Sequence, residues 1–188
     1  MYLMRLFNEE VFSKFPVIKT ERLILREITD KDAEDIFQIR ADEEVMKYYG
    51  HYPYKNISEA MEMIDIVKNG FKKKEGIRWG LTFHDSDKLI GTGGVWRIMK
   101  EHLRGEIGYE LSRDQWRKGI MYEAFTAIID FAFSKMNLHS LEANLDPENT
   151  GSVKLLEKLG FIKEGHTKDS YYFDGKFTDT GIYSLIKN

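Results

Sequence analysis

The chain has 188 residues, no cysteine and a formal charge of −3, from 28 basic and 31 acidic side chains. Without cysteine there can be no disulfide framework, thiolate zinc site, cysteine nucleophile or CxxC redox pair. The near-neutral balance argues against nucleic acid as the main partner, because phosphate binding brings a clearly basic domain. The length suits a single domain over residues 1–188 that needs no metal or cross-link to fold.

Leu89–Trp96 is the longest stretch free of Asp, Glu, Lys and Arg, far short of the ~20 apolar residues of a spanning helix. Met1–Phe15 is interrupted by Arg5, Glu9, Glu10 and Lys14 and lacks the apolar run of a signal peptide. A soluble cytoplasmic protein with no membrane partner is expected.

In chain order, Glu21–Ile28 reads as a strand, and Thr29 with Asp32 as a capping box before a helix with Ala33, Ile36, Phe37 and Arg40 at helical spacing. A second helix starts with Ser58 as its N-cap, carries Ala60, Met61, Ile64, Val67 and Phe71 as its stripe, and ends at Gly76. Ile77–His84 and Lys88–Ile98 flank the polar turn Asp85-Ser86-Asp87 and read as a hairpin. Arg104–Ser112 is a further strand, and Gly119 precedes a long helical pattern through Ala132. His139–Leu145 fits a buried strand, and Thr150–Leu159 a helix with Gly160 as its C′ residue. Phe161–Ile186 alternates around Asp174-Gly175, a two-residue hairpin signal. The fold class is α/β (α+β), a mostly antiparallel sheet flanked by helices.

Two segments invite chemistry. In Ile107–Met121 a strand runs through a basic turn, Trp116-Arg117-Lys118-Gly119, into a helix whose unpaired N–H groups favour an anion such as pyrophosphate. The same turn equally reads as a plain helix cap. No Gly-Lys-Ser/Thr follows, so it is not a Walker A loop. Asn149-Thr150-Gly151-Ser152 begins the next helix, where Asn or Ser most often serves as a cap.

Together these residues resemble a known family. Glu106-Ile107-Gly108-Tyr109, Trp116-Arg117-Lys118-Gly119-Ile120 and Glu123-Ala124 are similar to the acetyl-CoA-binding signature of the GNAT superfamily. Asn149, Ser152 and Leu155–Phe161 are similar to the segment that follows it. More narrowly, Thr20–Arg26 at the start and Asp174-Gly175, Asp179 and Tyr183-Ser184-Leu185 at the end resemble the RimJ/RimL-type N-acetyltransferases, over about residues 17–187. This chain has Met121 where the signature often has Gly or Ala.

The resemblance implies an acyltransferase that passes acetyl from acetyl-CoA to a primary amine in a ternary complex, without a metal. The amine would be a protein N-terminus of the ribosomal-protein kind. Polyamine or aminoglycoside acetylation, or a non-catalytic acyl-CoA-binding module, are the competing readings, and a homodimer stays open. It implies that Tyr109, Glu110 and Leu111 border the pantetheine arm. Trp116, Arg117, Lys118, Gly119, Ile120, Met121, Asn149, Ser152 and Lys158 complete the expected cofactor site. Glu106 is the preferred base and Glu110 the second, since alternation puts both on one face of a regular strand. The alternative is that both are plain solvated strand carboxylates. Ser152, or a tyrosine of Tyr171-Tyr172 with Tyr172 the candidate, would protonate the departing thiolate. The aromatic run Tyr48–Tyr54 is a candidate wall of the acceptor site, or simply a packed loop. The five histidines show no metal-ligand spacing.

Overall fold

The computed structural model describes residues 6–187. Its strands form one eight-stranded sheet in the order β1-β2-β3-β4-β5-β6-β8-β7. They are β1 (Ile18–Lys19), β2 (Leu23–Arg26), β3 (Gly76–Phe83), β4 (Gly91–Met99), β5 (Arg104–Leu111), β6 (Ser140–Leu145), β7 (Ile162–Phe173) and β8 (Lys176–Ile186). Every neighbouring pair is antiparallel except β5 and β6. A parallel pair cannot be joined by a tight turn, and here helix α4 (Ile120–Ser134) makes the crossover.

Alternation sorts the strand side chains between two apolar layers. Ile77, Trp79 and Leu81 of β3, Val95 of β4 and Ile107 of β5 bury against Ala124, Phe125 and Ile128 of α4. On the opposite face Ile36 and Ile39 of α1 (Ala33–Ala41), Val45 of α2 (Glu43–Met46) and Met63 and Ile64 of α3 (Ile57–Lys72) pack with Ile28 and Leu89. Trp79, wholly buried, meets Phe131 edge-on at 5.5 Å and donates its indole N–H to the Pro16 carbonyl at 2.7 Å. Among the described residues no helix is long and apolar enough to cross a membrane.

Most sequence expectations hold at the level of elements. The Thr29–Asp32 box forms, with the Asp32 carboxylate accepting from the Thr29 N–H at 2.7 Å. The cap of α3 needs correction. Asn56, not Ser58, is the N-cap: its side chain accepts from the Ser58 N–H at 3.1 Å, and Glu59 reaches back to the Asn56 N–H at 3.1 Å. The same helix stops at Lys72, and Gly76 opens β3. β4 carries a bulge between Trp96 and Met99, where Arg97 takes φ +47°. The β7–β8 turn has Asp174 at φ +48° and Gly175 at φ +76°, as a two-residue primed turn requires.

Helix α5 (Thr150–Lys158) ends in a Schellman motif: Phe161 N–H donates to the Leu156 carbonyl and Gly160 N–H to the Glu157 carbonyl, both at 3.0 Å. Gly160 sits at φ +90°, where a Cβ is strained whatever the space around it. Gly160→Ala is therefore expected to cost about 1–2 kcal/mol, read as a lower urea midpoint at unchanged m-value.

Candidate active site

β5 and β6 stay together for only three residue pairs, Arg104–Ser140, Gly105–Leu141 and Glu106–Glu142, and then part. An Arg104–Glu142 ion pair joins them at the closed end. Beyond it β5 continues to Leu111 against β4, and β6 to Leu145 against β8. The bond from Ser112 N–H to the Ile90 carbonyl, at 2.8 Å, fixes the alternation on β5. Glu106, Gly108 and Glu110 direct their main-chain groups at β4, whereas Ile107, Tyr109 and Leu111 direct theirs into the fork. Two of the carbonyls in the fork are already engaged. Tyr49 Oη donates to that of Tyr109, and the Trp116 indole N–H to that of Leu111 at 2.8 Å. The Tyr109 and Leu111 N–H groups are left as the donors lining the gap.

One end of the fork meets the start of α4. Arg117 lies at φ +61° and Gly119 at φ +73°, so the turn reverses sharply and delivers the chain into the first helical turn. A Cβ at Gly119 would meet only Arg22 Nη2, at 3.6 Å, so the approach to the helix mouth is open. Ile120 and Met121 turn their side chains into the core while their N–H groups stay at the helix mouth. Met121 in place of a small residue thus obstructs nothing there. The acidic residue of that first turn, Glu123, is held by Thr20 Oγ1 at 2.6 Å and Arg22 Nε at 2.6 Å. Burial alone would raise its pKa, but these hydrogen bonds and the Arg22 charge hold it below the ordinary carboxylate value. Arg22 so offsets the carboxylate of that first turn, and Arg117 and Lys118 stand exposed alongside.

The second helix mouth borders the same gap. Asn149 Oδ1 caps α5 by accepting from Ser152 N–H at 3.1 Å, and the Tyr109 hydroxyl lies 3.5 Å from the Ser152 carbonyl. Burial pushes the Tyr109 pKa up to about 12, so that hydroxyl is protonated at neutral pH. Lys158 Nζ stands 4.2 Å from the centre of the Tyr122 ring, which places it against the first turn of α4. Lys158 thus stands by the start of α4, and Ser152 by Tyr109 of β5.

The expected catalytic residues are not all brought there. Glu106 is half-buried beside the fork, with Arg97 Nη1 at 2.9 Å from Oε2. Glu110 does share its face, but it is wholly enclosed. Thr92 Oγ1 donates to Oε1 at 3.1 Å, and Arg40 Nη2 lies 2.7 Å from Oε2. Burial pushes its pKa up, and the Arg40 and Arg78 charges more than reverse this and lower it. A carboxylate so stabilised is a poor base, which corrects the reading of Glu110 as second candidate. Glu110 main-chain groups also face β4, so of Tyr109, Glu110 and Leu111 the first and last border the fork with theirs. Tyr172 is 62% exposed and stacks on Phe177 at 4.9 Å, so it does not join Tyr109 and Ser152. Its neighbour Tyr171, on the other face of β7, reaches the Gly50 carbonyl at 3.1 Å.

The sequence reading passed over Arg40, Tyr49, Arg78 and Trp96. Tyr49 came closest, as part of the aromatic run. Its hydroxyl pKa is driven up by burial and then by the Glu110 charge, so it acts as a neutral donor. A signal for Arg40 was present: an arginine on the apolar stripe of a helix must find a counter-charge in the core.

A GNAT acetyltransferase domain model matches residues 22–162. The chain belongs to the GNAT acetyltransferase family. It is 40% identical over 173 residues to the uncharacterized N-acetyltransferase YoaA of Bacillus subtilis, covering 92% of this chain and 98% of that protein. It is 28% identical to the [ribosomal protein uS5]-alanine N-acetyltransferase of Escherichia coli, with 89% of each chain covered. A GNAT-family acetyltransferase structure from Bacillus anthracis superposes with a TM-score of 0.81 at 26% identity, covering 91% of this chain and 98% of that one. The spermidine N-acetyltransferase of Vibrio cholerae, in complex with CoA and spermine, does so with a TM-score of 0.77 at 22% identity, covering 87% and 95%. The protein is thus an acyltransferase of the GNAT type.

Removing Arg40 leaves Glu110 buried beside an orphaned charge site. Arg40→Met is expected to lower stability by about 3–5 kcal/mol in urea unfolding at neutral pH, with partial recovery in Arg40→Met/Glu110→Gln. The pH dependence should also invert. In the wild type the depressed Glu110 pKa contributes stability above the ordinary carboxylate pKa, lost as pH falls through the folded value. In Arg40→Met burial takes over, the folded pKa rises, and stability falls as pH rises through it.

Proposed function

We propose that the protein transfers the acetyl group of acetyl-CoA to a protein N-terminal α-amine by direct attack in a ternary complex. The observation that carries this reading is the fork between β5 and β6, with two main-chain N–H donors facing it and their own carbonyls already engaged. An extended pantetheine arm fits such an open strand edge as an added strand does. The N–H groups at the mouth of α4, with Arg117, Lys118, Gly119, Ile120 and Met121, suit the pyrophosphate, and Lys158 stands close enough to add charge. Acetyl-CoA supplies the activated acyl group, and the chain supplies position, donors and proton traffic.

The Tyr109 or Leu111 N–H polarises the thioester carbonyl and stabilises the oxyanion that forms there. Glu106, half-buried at the closed end of the fork, takes the proton from the attacking amine, directly or through water. An α-amine titrates near ~7.7–8.0, so this base need be only modest. Ser152 and the Tyr109 hydroxyl lie together on the α5 side, where the thiolate leaves; either can return a proton to it. The ribosomal-protein acceptor is supported by the 28% identity to the uS5-alanine enzyme across nearly the whole of both chains.

The reading is tested by CoA release from acetyl-CoA over N-terminal peptides, polyamines and aminoglycosides. Peptide amines should give the highest kcat/KM, and no release from any amine would reject acetyl transfer. Acetyl-CoA at 100 times its Kd should raise the unfolding free energy by about 2.7 kcal/mol; no shift at millimolar concentration, with no heat of binding, would remove the cofactor assignment. Glu106→Gln should lower turnover by ~10²–10⁴-fold at neutral pH while acetyl-CoA affinity is kept. That deficit should shrink as pH rises past the amine pKa, whereas a deficit equal at every pH would mean that Glu106 only positions the substrate.

A further inference from the structure

The face of the sheet opposite α4 carries the acceptor side of the fork, and its charges do not balance. Across neighbouring strands Arg78, Gly94 and Gly108 stand in one row, so neither neighbour in the row puts a side chain of its own in the way of the arginine. The Trp96 ring lies flat enough over Gly108 that a Cβ there would collide with it, and Arg78 Cζ stacks 4.6 Å from the centre of that ring. Arg40 approaches from α1, its Nη1 donating to the Tyr54 hydroxyl at 2.9 Å and its guanidinium flanked by the Tyr49 and Tyr54 rings. Of the two β5 carboxylates on this face, Glu110 is engaged by Arg40 and Thr92 and Glu106 by Arg97. Arg78 has no side-chain hydrogen bond or ion pair among the described residues, and Glu110 acts on it through charge alone, against that of Arg40. Arg78 is half-buried and stacked on Trp96, and its guanidinium N–H groups, without a partner among the described residues, are free to meet an anion.

Gly108 directly precedes Tyr109 on β5. Strands lie ~4.8 Å apart, so the Arg78 backbone is ~10 Å from that of Gly108, and the guanidinium closes much of this span. We infer that Arg78, stacked on Trp96, binds an anionic group of the acceptor, so that the enzyme acetylates amines carrying a carboxylate a few bonds from the nitrogen. Guanidinium is suited to this role because its planar fork meets a carboxylate bidentately. A polyamine, by contrast, would bring further positive charge to a cluster that already has an excess of it. The inference rests on the acetyl-transfer reading and narrows its acceptor class. The carboxylate belongs either to an acidic residue at a peptide N-terminus or to a free amino acid.

The test is kcat/KM with acetyl-CoA for Glu-Ala-Ala-amide, its isostere Gln-Ala-Ala-amide, free glutamate, glutamate diamide and spermidine, on wild type, Arg78→Gln and Arg78→Lys. In the wild type the acidic member of at least one pair should exceed its neutral partner at least tenfold, through KM rather than kcat, with spermidine poorest. Preference in the peptide pair identifies a protein N-terminus, and preference in the free pair an amino acid. Arg78→Gln should abolish the preference and Arg78→Lys should keep part of it, with acetyl-CoA affinity as the check on folding. Equal use of acidic and neutral partners, best use of spermidine, or a preference that survives Arg78→Gln would overturn the inference while leaving acetyl transfer intact. Calorimetry of N-acetyl-Glu-Ala-Ala-amide against its Gln counterpart, and of N-acetylglutamate against its diamide, with CoA present, reads the same preference without turnover. Equal affinities there would overturn it even if no acceptor reacted.

Discussion

The short parallel contact between β5 and β6 is the constraint on which the site depends. Three pairs of residues are enough to lock the two halves of the sheet in register, and the Arg104–Glu142 ion pair pins the junction. Past Glu106 the two strands answer to different partners, β5 to β4 and β6 to β8, and the sheet splits along their divergence. Unpaired main-chain groups inside a protein are expensive. Here their cost is limited, because Tyr49 and Trp116 take the Tyr109 and Leu111 carbonyls and leave the N–H groups of those two residues as donors. The polarity of the gap follows from those two side chains as much as from the strand itself.

The two faces of β5 then divide the chemistry. Ile107, Tyr109 and Leu111 look toward α4 and α5, with the Tyr109 ring 5.0 Å from that of Phe125. Glu106 and Glu110 look toward α1 and α3, among arginines and aromatic rings. A donor of the acyl group and an acceptor can thus approach one strand from opposite sides, each in surroundings of its own charge character. The bulge in β4 contributes by turning Arg97 onto Glu106 and setting Trp96 beside Gly108.

Periodicity and turn chemistry made the order of elements legible, because each depends on residues close in sequence. The Schellman end of α5 and the Asp174-Gly175 turn are local in that sense. Ser58 was misread as a cap for a local reason also: Asn56 with Glu59 forms the stronger reciprocal pair, and only one of the two polar residues can precede the first turn. The shared face of Glu106 and Glu110 followed from alternation, but not their different surroundings. What separates them is Arg40, contributed by a helix some seventy residues earlier in the chain. Tyr171 and Tyr172 show the same limit, since β7 is irregular between Thr167 and Tyr171 and parity counted from either end is unsafe. Arg78 reads in sequence as one polar interruption of an apolar strand, and only the two glycines beside it in space give it a path to Trp96.

The outer edges of the sheet have a consequence for the molecule in a crowded solution. β1 offers just two residues to a foreign strand. β7 is long and exposed, but it is broken by irregularities at Lys163–Gly165 and Thr167–Tyr171, with Asp169 at φ +49° and the Asp169 N–H drawn back to Asp179. Short, kinked and charged borders resist the edge-to-edge stacking by which open sheets polymerise. The rims of the sheet therefore offer little to a foreign strand, and the unpaired N–H groups that strand addition would need lie inside the fork instead.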